Sequence, residues 1–245
     1  MARRPGAREG RGTPYDASRM EPLPLTLVVM AKAPMAGRSK TRLCPPCTPQ
    51  QAADVAEAAL RDTLDVVAAA PASRRVLALE GPPGGWLVDG FDVLPQRGAG
   101  LGERLAAVFA DLDGAVVLVG MDTPQLTVAH LAGAADALAQ PGVHAVLGHA
   151  ADGGWWAIGL HDPDPAAFAG VPMSTVETGA RQEARLHELG LTVALLPELR
   201  DVDRWDDALA VAAAAPDGRF AATVAGIERG REAAAVRHRD EPHPA

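Results

Sequence analysis

The run Ala115-Val-Val-Leu-Val-Gly120-Met-Asp122-Thr-Pro-Gln-Leu126 constrains this chain more than any other stretch. Five apolar residues, four of them β-branched or leucine, lead into Gly120 and then present Asp122 ahead of Thr123-Pro124. A continuous apolar run bounded by Gly and Pro suits a strand covered on both faces, as in a parallel sheet with helices above and below. In such sheets ligands collect at the carboxyl ends of the strands. An aspartate placed there is suited to hold a divalent cation. The competing role for Asp122 is a turn or helix cap, a common task for Asp beside Pro.

The length of 245 residues allows one large α/β domain or two small ones. Hydrophobic residues make up 48% and aromatic residues only 4%, so the core must be built from Ala, Val and Leu. A net charge of −8 argues against a general nucleic-acid binder, which shows a basic face. Small anionic ligands remain compatible, because a local cluster of Lys and Arg can oppose the global sign. No apolar run approaches the roughly 18 to 20 residues that span a bilayer. The segment Leu23 to Ala31 is too short, and lies too far behind an Arg-rich leader, to act as a signal peptide. The expected location is the cytoplasm.

Residues 1–23 are rich in Arg, Gly and Pro and read as a disordered basic tail, within which Met20 is a second candidate start. Residues 24–216 read as one domain of alternating strands and helices. Strands are expected at Leu25–Met30, Arg75–Glu80, Phe91–Leu94, Ala115–Val119, His144–Leu147, Trp155–Leu160 and Thr192–Leu196. Helices of ten to twenty residues lie between them. Thr48-Pro49-Gln50-Gln51 has the pattern of a capping box with Pro at the first helical position, Thr127 caps a later helix, and Ser174-Thr-Val-Glu177 has capping-box spacing for another. Residues 217–245 read as a helix rich in Ala, Arg and Glu followed by a polar tail. The expected architecture is a three-layer α/β sandwich around a mostly parallel sheet.

Four constellations carry chemistry. The loop after the first strand holds Lys32, Arg38, Lys40 and Arg42, with Gly37 letting the backbone turn. Cations this dense need anions, and phosphate suits Arg forks and Lys point charges alike. A P-loop is excluded, since Ser39 precedes Lys40 and Pro34 stands where a glycine would be required. The plain alternative is a solvated basic loop. Next, Gly98-Ala-Gly100-Leu-Gly102-Glu103-Arg104 places three glycines in five residues before a helix, which allows close approach to a flat ring or a phosphate. Ordinary strand-to-helix turns share that composition. Third, Asp152-Gly153-Gly154-Trp155-Trp156 sets a carboxylate beside an aromatic wall. Alternation along a strand lets one Trp face the site while the other packs inward. His149 just before it reads as a loop residue rather than a base. Last, in Asp201-Val-Asp203-Arg-Trp-Asp-Asp207 a helix cap at Asp203 accounts for part of the acidity but leaves Asp201 unexplained. Cys44 and Cys47 form a lone CxxC, half of a four-ligand zinc site in a chain with two cysteines.

Five blocks in this order, Met30–Leu43, Gly98–Leu105, Val119–Leu126, Ala151–Leu160 and Asp201–Leu209, resemble the DUF2064 family, a glycosyltransferase-like group of the radical-SAM-associated transferase type. The resemblance spans about Leu25 to Ala214 and implies the nucleotide-diphospho-sugar transferase fold of GT-A glycosyltransferases and nucleotidylyltransferases. It implies that Asp122 and Asp203 bind Mg²⁺ or Mn²⁺. It also implies that Lys32, Gly37, Arg38, Lys40 and Arg42 handle phosphates. Gly100, Gly102, Glu103 and Arg104 join the expected nucleotide site. The chain departs from the family pattern at Gly148-His149 for Gly-Pro, Trp155-Trp156 for paired tyrosines, Met173 for Trp, and Asp203-Arg204 for Asp-Thr. Most of these departures fall on the expected acceptor side, made of Asp152, Gly153, Gly154, Trp155 and Ser174.

The expected function is a metal-dependent transferase acting on a nucleotide-activated substrate, with Asp122, Lys40 and Asp152 at the reacting centre. Its partners are a nucleotide or nucleotide-sugar and a small-molecule acceptor. Four cations on one loop suit a triphosphate better than a diphosphate sugar, which favours nucleotidyl transfer. Glycosyl transfer and nucleotide binding without turnover are the alternatives. The oligomeric state stays open, a homodimer included.

Overall fold

The structure is a computed structural model and describes residues 24–240. The expected tail at 1–23 and the last five residues lie outside them. In chain order the elements are β1 (Leu25–Lys32), α1 (Pro49–Ala69), β2 (Arg74–Glu80), β3 (Asp92–Pro95), α2 (Leu101–Ala110), β4 (Ala115–Gly120), α3 (Val128–Leu138), β5 (Ala145–Ala150), β6 (Trp155–Leu160), α4 (Thr178–Glu188), β7 (Val193–Leu199), α5 (Trp205–Ala214) and α6 (Arg219–Asp240). The strands form one sheet in the order β3-β2-β1-β4-β6-β5-β7. All pairings are parallel except those of β6, which runs antiparallel to both β4 and β5. The fold is the expected α/β sandwich on a mostly parallel sheet.

The chain steps outward from β1 to β2 and β3, then crosses back to lay β4 on the other side of β1. The order therefore reverses between β1 and β4, and a crevice opens beyond their carboxyl ends. Both strands are apolar on both faces because both faces are covered. Leu27, Val29, Val117 and Val119 pack on one side with Leu60, Leu64 and Leu131 of α1 and α3. Val28, Met30, Val116 and Leu118 pack on the other with Leu105, Phe109 and Leu186 of α2 and α4. A third cluster joins α1, α5 and α6 through Val55, Ala59, Trp205, Phe220 and Val224. Cys47 is buried in that cluster. Its burial, reinforced by Cys44, pushes the thiol up to about 11, so it stays protonated. Both cysteines are free thiols.

Local chemistry sets most of the boundaries. Thr48 accepts from the Gln51 amide at 3.2 Å while the Gln51 side chain accepts from the Thr48 amide at 2.8 Å, closing the expected capping box on α1. Thr127 caps α3, with His130 returning the bond through Nδ1 at 3.1 Å. Two expectations are corrected. α4 starts at Thr178 rather than after Ser174, because Ser174 sits in the left-handed region at φ 59°, which an N-cap does not adopt. Thr178 instead uses its hydroxyl to accept from the Thr175 amide at 3.0 Å and to donate to the Pro172 carbonyl at 2.9 Å, folding 172–177 into a loop. α5 starts at Trp205, where the Arg204 amide donates to Asp207 at 3.0 Å. Asp203 is therefore not the cap and is left for another partner. Among the described residues no helix is long and apolar enough to cross a membrane.

Gly159 of β6 lies between Val117 of β4 and Val146 of β5, where an added Cβ would come within 2.7 Å of Val146 Cγ2 and 2.8 Å of Val117 Cγ2. Gly159→Ala should lower stability by about 1–3 kcal/mol, the cost of overpacking a filled core, with an unchanged denaturant slope. Chemical denaturation followed by circular dichroism measures this, and an unchanged midpoint would show that β4 and β5 can part to admit a methyl group.

Candidate active site

The crevice between β1 and β4 collects side chains from segments far apart in the chain. Lys32 ends β1 opposite Glu80, the last residue of β2, and its ammonium lies 3.4 Å from that carboxylate. Arg104 of α2 donates to the same carboxylate. Burial acts to raise the Glu80 carboxyl, but the Arg104 hydrogen bond and the Lys32 charge outweigh it and hold it below the ordinary range. The basic loop then turns inward. Ser39 is buried and accepts from the Met35 amide at 2.9 Å, and Lys40 adopts the left-handed region at φ 48°.

That turn carries the Lys40 ammonium under the end of β4. It lies 2.8 Å from Asp122 Oδ1 and donates to the Val202 carbonyl, and the side chain is only 9% exposed. The Val202 amide in turn donates to the Asp122 carbonyl at 2.9 Å. Two residues on, Arg42 meets Asp203, Nη1 to Oδ2, at 2.7 Å. In the segment after β7, Val202 is fully buried in the core while Asp201 and Asp203 on either side of it border the crevice.

Sequence reasoning singled out this acidic end as the source of a partner for Asp122 but assigned that place to Asp203 alone; the alternation Asp-Val-Asp was the available signal for Asp201. One of its carboxylate oxygens is buried without a hydrogen-bond partner. Burial, and then the charges of Asp122 and Asp152, push its carboxyl up to about 7, with Lys40 opposing them. Glu80 was also missed, since only the pairing of β1 with β2 brings it beside Lys32.

Two connected recesses lie around these residues. The larger, about 530 Å³, is bounded by Arg104, Trp155, Met173, Ser174 and Thr175 along with Asp152 and Asp201. The smaller, about 250 Å³, is bounded by Lys32, Arg38, Lys40 and Arg42 with Ser39 and Thr41. Asp122 and Asp203 border both. Of the other expected site residues, Gly154 borders the larger recess, while Gly37, Gly100, Gly102, Glu103 and Gly153 border neither. Glu103 folds back to accept from the Ala99 amide at 2.7 Å, and so closes its own glycine loop.

The wall beyond Asp152 is built on glycine. Gly153 has φ 89°, and an added Cβ would stand 2.1 Å from the Val176 carbonyl oxygen. Its own carbonyl accepts from the Gly179 amide at 2.8 Å, which clasps the 172–177 loop to the turn. The tryptophans divide as alternation requires. Trp156 is 1% exposed, packs with the α1 and α3 side of the sheet and donates to the Pro197 carbonyl at 3.0 Å, while Trp155 is partly exposed and packs on the opposite side; both touch the larger recess. His149 lies 3.0 Å from Glu183 through Nε2, outside both recesses.

All nearby acidic donors are hard carboxylate oxygens, the class that Mg²⁺ and Mn²⁺ take. Among the described residues no three His, Cys, Asp or Glu side chains converge as a ready-made cage. The set fits a cation held by two carboxylates and completed by ligand oxygens, with the unpartnered Asp201 oxygen close by. Asp201 also gives a pH signature. Its folded value of about 7 lies above its unfolded 3.8, so between those values the folded chain keeps a proton the unfolded chain has released. Stability therefore falls as pH rises through that window. In metal-free buffer Asp201→Asn should match the wild-type Tm near pH 4 and exceed it above pH 7. Parallel Tm curves would show that Asp201 does not titrate there.

Solved structures share this architecture. The chain is similar to a provisionally described nucleotide-diphospho-sugar transferase from Desulfovibrio desulfuricans G20, at 24% identity and a TM-score of 0.74, over 86% of this chain and 96% of that one. It is similar to a CMP:2-keto-3-deoxy-manno-octonic acid synthetase complexed with CTP, at 13% identity and a TM-score of 0.52, over 77% of this chain and 97% of that one. A third is Rv0371c of Mycobacterium tuberculosis H37Rv, at 22% identity and a TM-score of 0.50, over 78% and 98% of the two chains. These likenesses establish the nucleotide-diphospho-sugar transferase fold. No curated protein sequence matches the chain. Residues 47–175, more than half of the chain, match the family described as "Uncharacterized protein conserved in bacteria (DUF2064)", and the chain belongs to that family.

Proposed function

We propose that this protein is a divalent-metal-dependent transferase acting on a nucleotide-activated substrate, and that the group it transfers is a nucleotidyl group. The observation that carries the reading is the small basic recess, set across Asp122 and Asp203 from the larger cleft. A recess walled by four cations and two hydroxyl side chains, with Asp122 and Asp203 at its border, offers a pyrophosphate both positive charge and hydrogen-bond donors. The larger recess then takes the nucleoside and the acceptor. Its wall offers Trp155 and Met173 for apolar contact and Asp152 for polar contact.

In this reading Asp122 and Asp203 hold Mg²⁺ or Mn²⁺, which when bound offsets phosphate charge. Lys32, Arg38, Lys40 and Arg42 bind the β- and γ-phosphates. An acceptor hydroxyl oxygen bonds to the α-phosphorus, the bond from that phosphorus to the bridging oxygen breaks, and pyrophosphate leaves into the basic recess. Asp152 orients the acceptor and takes its proton. One Asp152 oxygen already accepts from the Gly154 amide at 2.9 Å, which holds the carboxylate in place. Catalysis is then chiefly positioning and electrostatic stabilisation by preset charges.

The test is to incubate the full chain with each nucleoside triphosphate or nucleotide-sugar, Mg²⁺ or Mn²⁺ and a panel of acceptors, and to identify the released group. Pyrophosphate is expected. Nucleoside diphosphate release would replace the reading with glycosyl transfer, and binding without release would make the protein a nucleotide sensor. Asp203→Asn should weaken metal-dependent nucleotide binding about tenfold or more, as expected for losing a contact between charged groups worth about 1.5–3 kcal/mol. Its Tm should barely move, because the Arg42–Asp203 pair is largely exposed. Unchanged calorimetric affinity would remove Asp203 from the site.

A further inference from the structure

The two carboxylates assigned above to the metal are both already taken by cations of the chain. Lys40 lies 2.8 Å from Asp122, and Arg42 lies 2.7 Å from Asp203. Yet both cations border the recess assigned to phosphate. Neither can fully serve carboxylate and phosphate at once. The Lys40 ammonium is held by a carboxylate oxygen and the Val202 carbonyl oxygen, the ligand types that a hard cation selects.

We infer that Lys40 and Arg42 are placeholders, which occupy Asp122 and Asp203 until a metal ion takes those carboxylates and so releases both cations to the phosphates. The inference rests on the reading of Asp122 and Asp203 as metal carboxylates. Before exchange these two cations and two carboxylates cancel one another, so of the four cations around the recess only Arg38, and Lys32 shared with Glu80, are left to draw a phosphate. A metal ion alone must displace the ammonium and guanidinium, which then have no counter-ion. Pyrophosphate alone must draw both cations away from aspartates that are then left bare. When the two arrive together every charge is paired again, so each ligand tightens the other by the same factor. Lys40 is thus a positioning residue for the metal as well as a phosphate contact. The sign of its effect on the two ligands is opposite.

The experiment is calorimetry on the full chain with MnCl₂ alone, with pyrophosphate alone, and with both, after subtracting their association in solution. In the wild type each ligand should tighten the other on the order of tenfold or more. Lys40→Met keeps the bulk of the side chain and removes its charge. It should bind Mn²⁺ alone about tenfold more tightly than the wild type while binding pyrophosphate more weakly, with coupling reduced. A role in structure alone would not raise metal affinity. Arg42→Gln alters an exposed pair and keeps the test open should Lys40→Met fail to fold; it too should raise affinity for Mn²⁺ alone. Unchanged or weaker Mn²⁺ binding in the variants that fold, or independent binding of the two ligands in the wild type, would overturn the inference while leaving the transferase reading intact. If Mn²⁺ binds to no variant and not to the wild type, with or without pyrophosphate, the assignment of Asp122 and Asp203 falls and takes this inference with it.

Discussion

The joint between Lys40, Asp122 and Val202 is the constraint around which the rest of the site is arranged. Three segments far apart in the chain meet there: the loop after β1, the end of β4 and the segment after β7. A buried ammonium must find oxygen partners, since an uncompensated charge in a desolvated place is costly. Asp122 and the Val202 carbonyl supply them, and the Val202 amide completes the joint by donating to the Asp122 carbonyl. Asp201 and Asp203 are placed by that anchoring. With Val202 in the core, its two neighbours both border the crevice.

The electrostatics of the crevice follow from how its charges are shared. Glu80 gathers Lys32 and Arg104 on one wall, and Asp122 and Asp203 each take one cation on the other. Asp201 alone among the nearby aspartates has a buried oxygen without a partner, and its burial, followed by the charges of Asp122 and Asp152, raises its carboxyl. A site built this way is largely neutral at rest within a chain of net charge −8.

Much of the fold was legible in the residues, and the physical reasons are plain at particular positions. β4 could be read because its two faces are both covered, which leaves an uninterrupted apolar run. The starts of α1 and α3 could be read because capping is local chemistry among four consecutive residues. The start of α4 could not. Ser174 and Glu177 have the right spacing for a capping box, but the left-handed backbone at Ser174 and the two hydrogen bonds of Thr178 are set by the way the 172–177 loop packs against Gly153. The antiparallel run of β6 was equally hidden, because a short apolar strand has the same composition in either direction.

The residues of the site divide in the same way. Local sequence by itself determined that Asp122 follows a buried strand, that a cluster of cations follows the first strand, and that two adjacent tryptophans pack on opposite faces of the sheet. Each follows from strand periodicity, charge density or the side-chain alternation of neighbouring residues. Tertiary structure alone decided which cation meets which carboxylate, because Lys40 and Asp122, or Arg42 and Asp203, are brought together only by the reversal of strand order between β1 and β4 and the return of the chain after β7. It also decided that Glu80 and Asp201 belong to the crevice. Ion pairing acts over a few ångströms of space, and separation along the chain carries no record of it until the sheet is assembled.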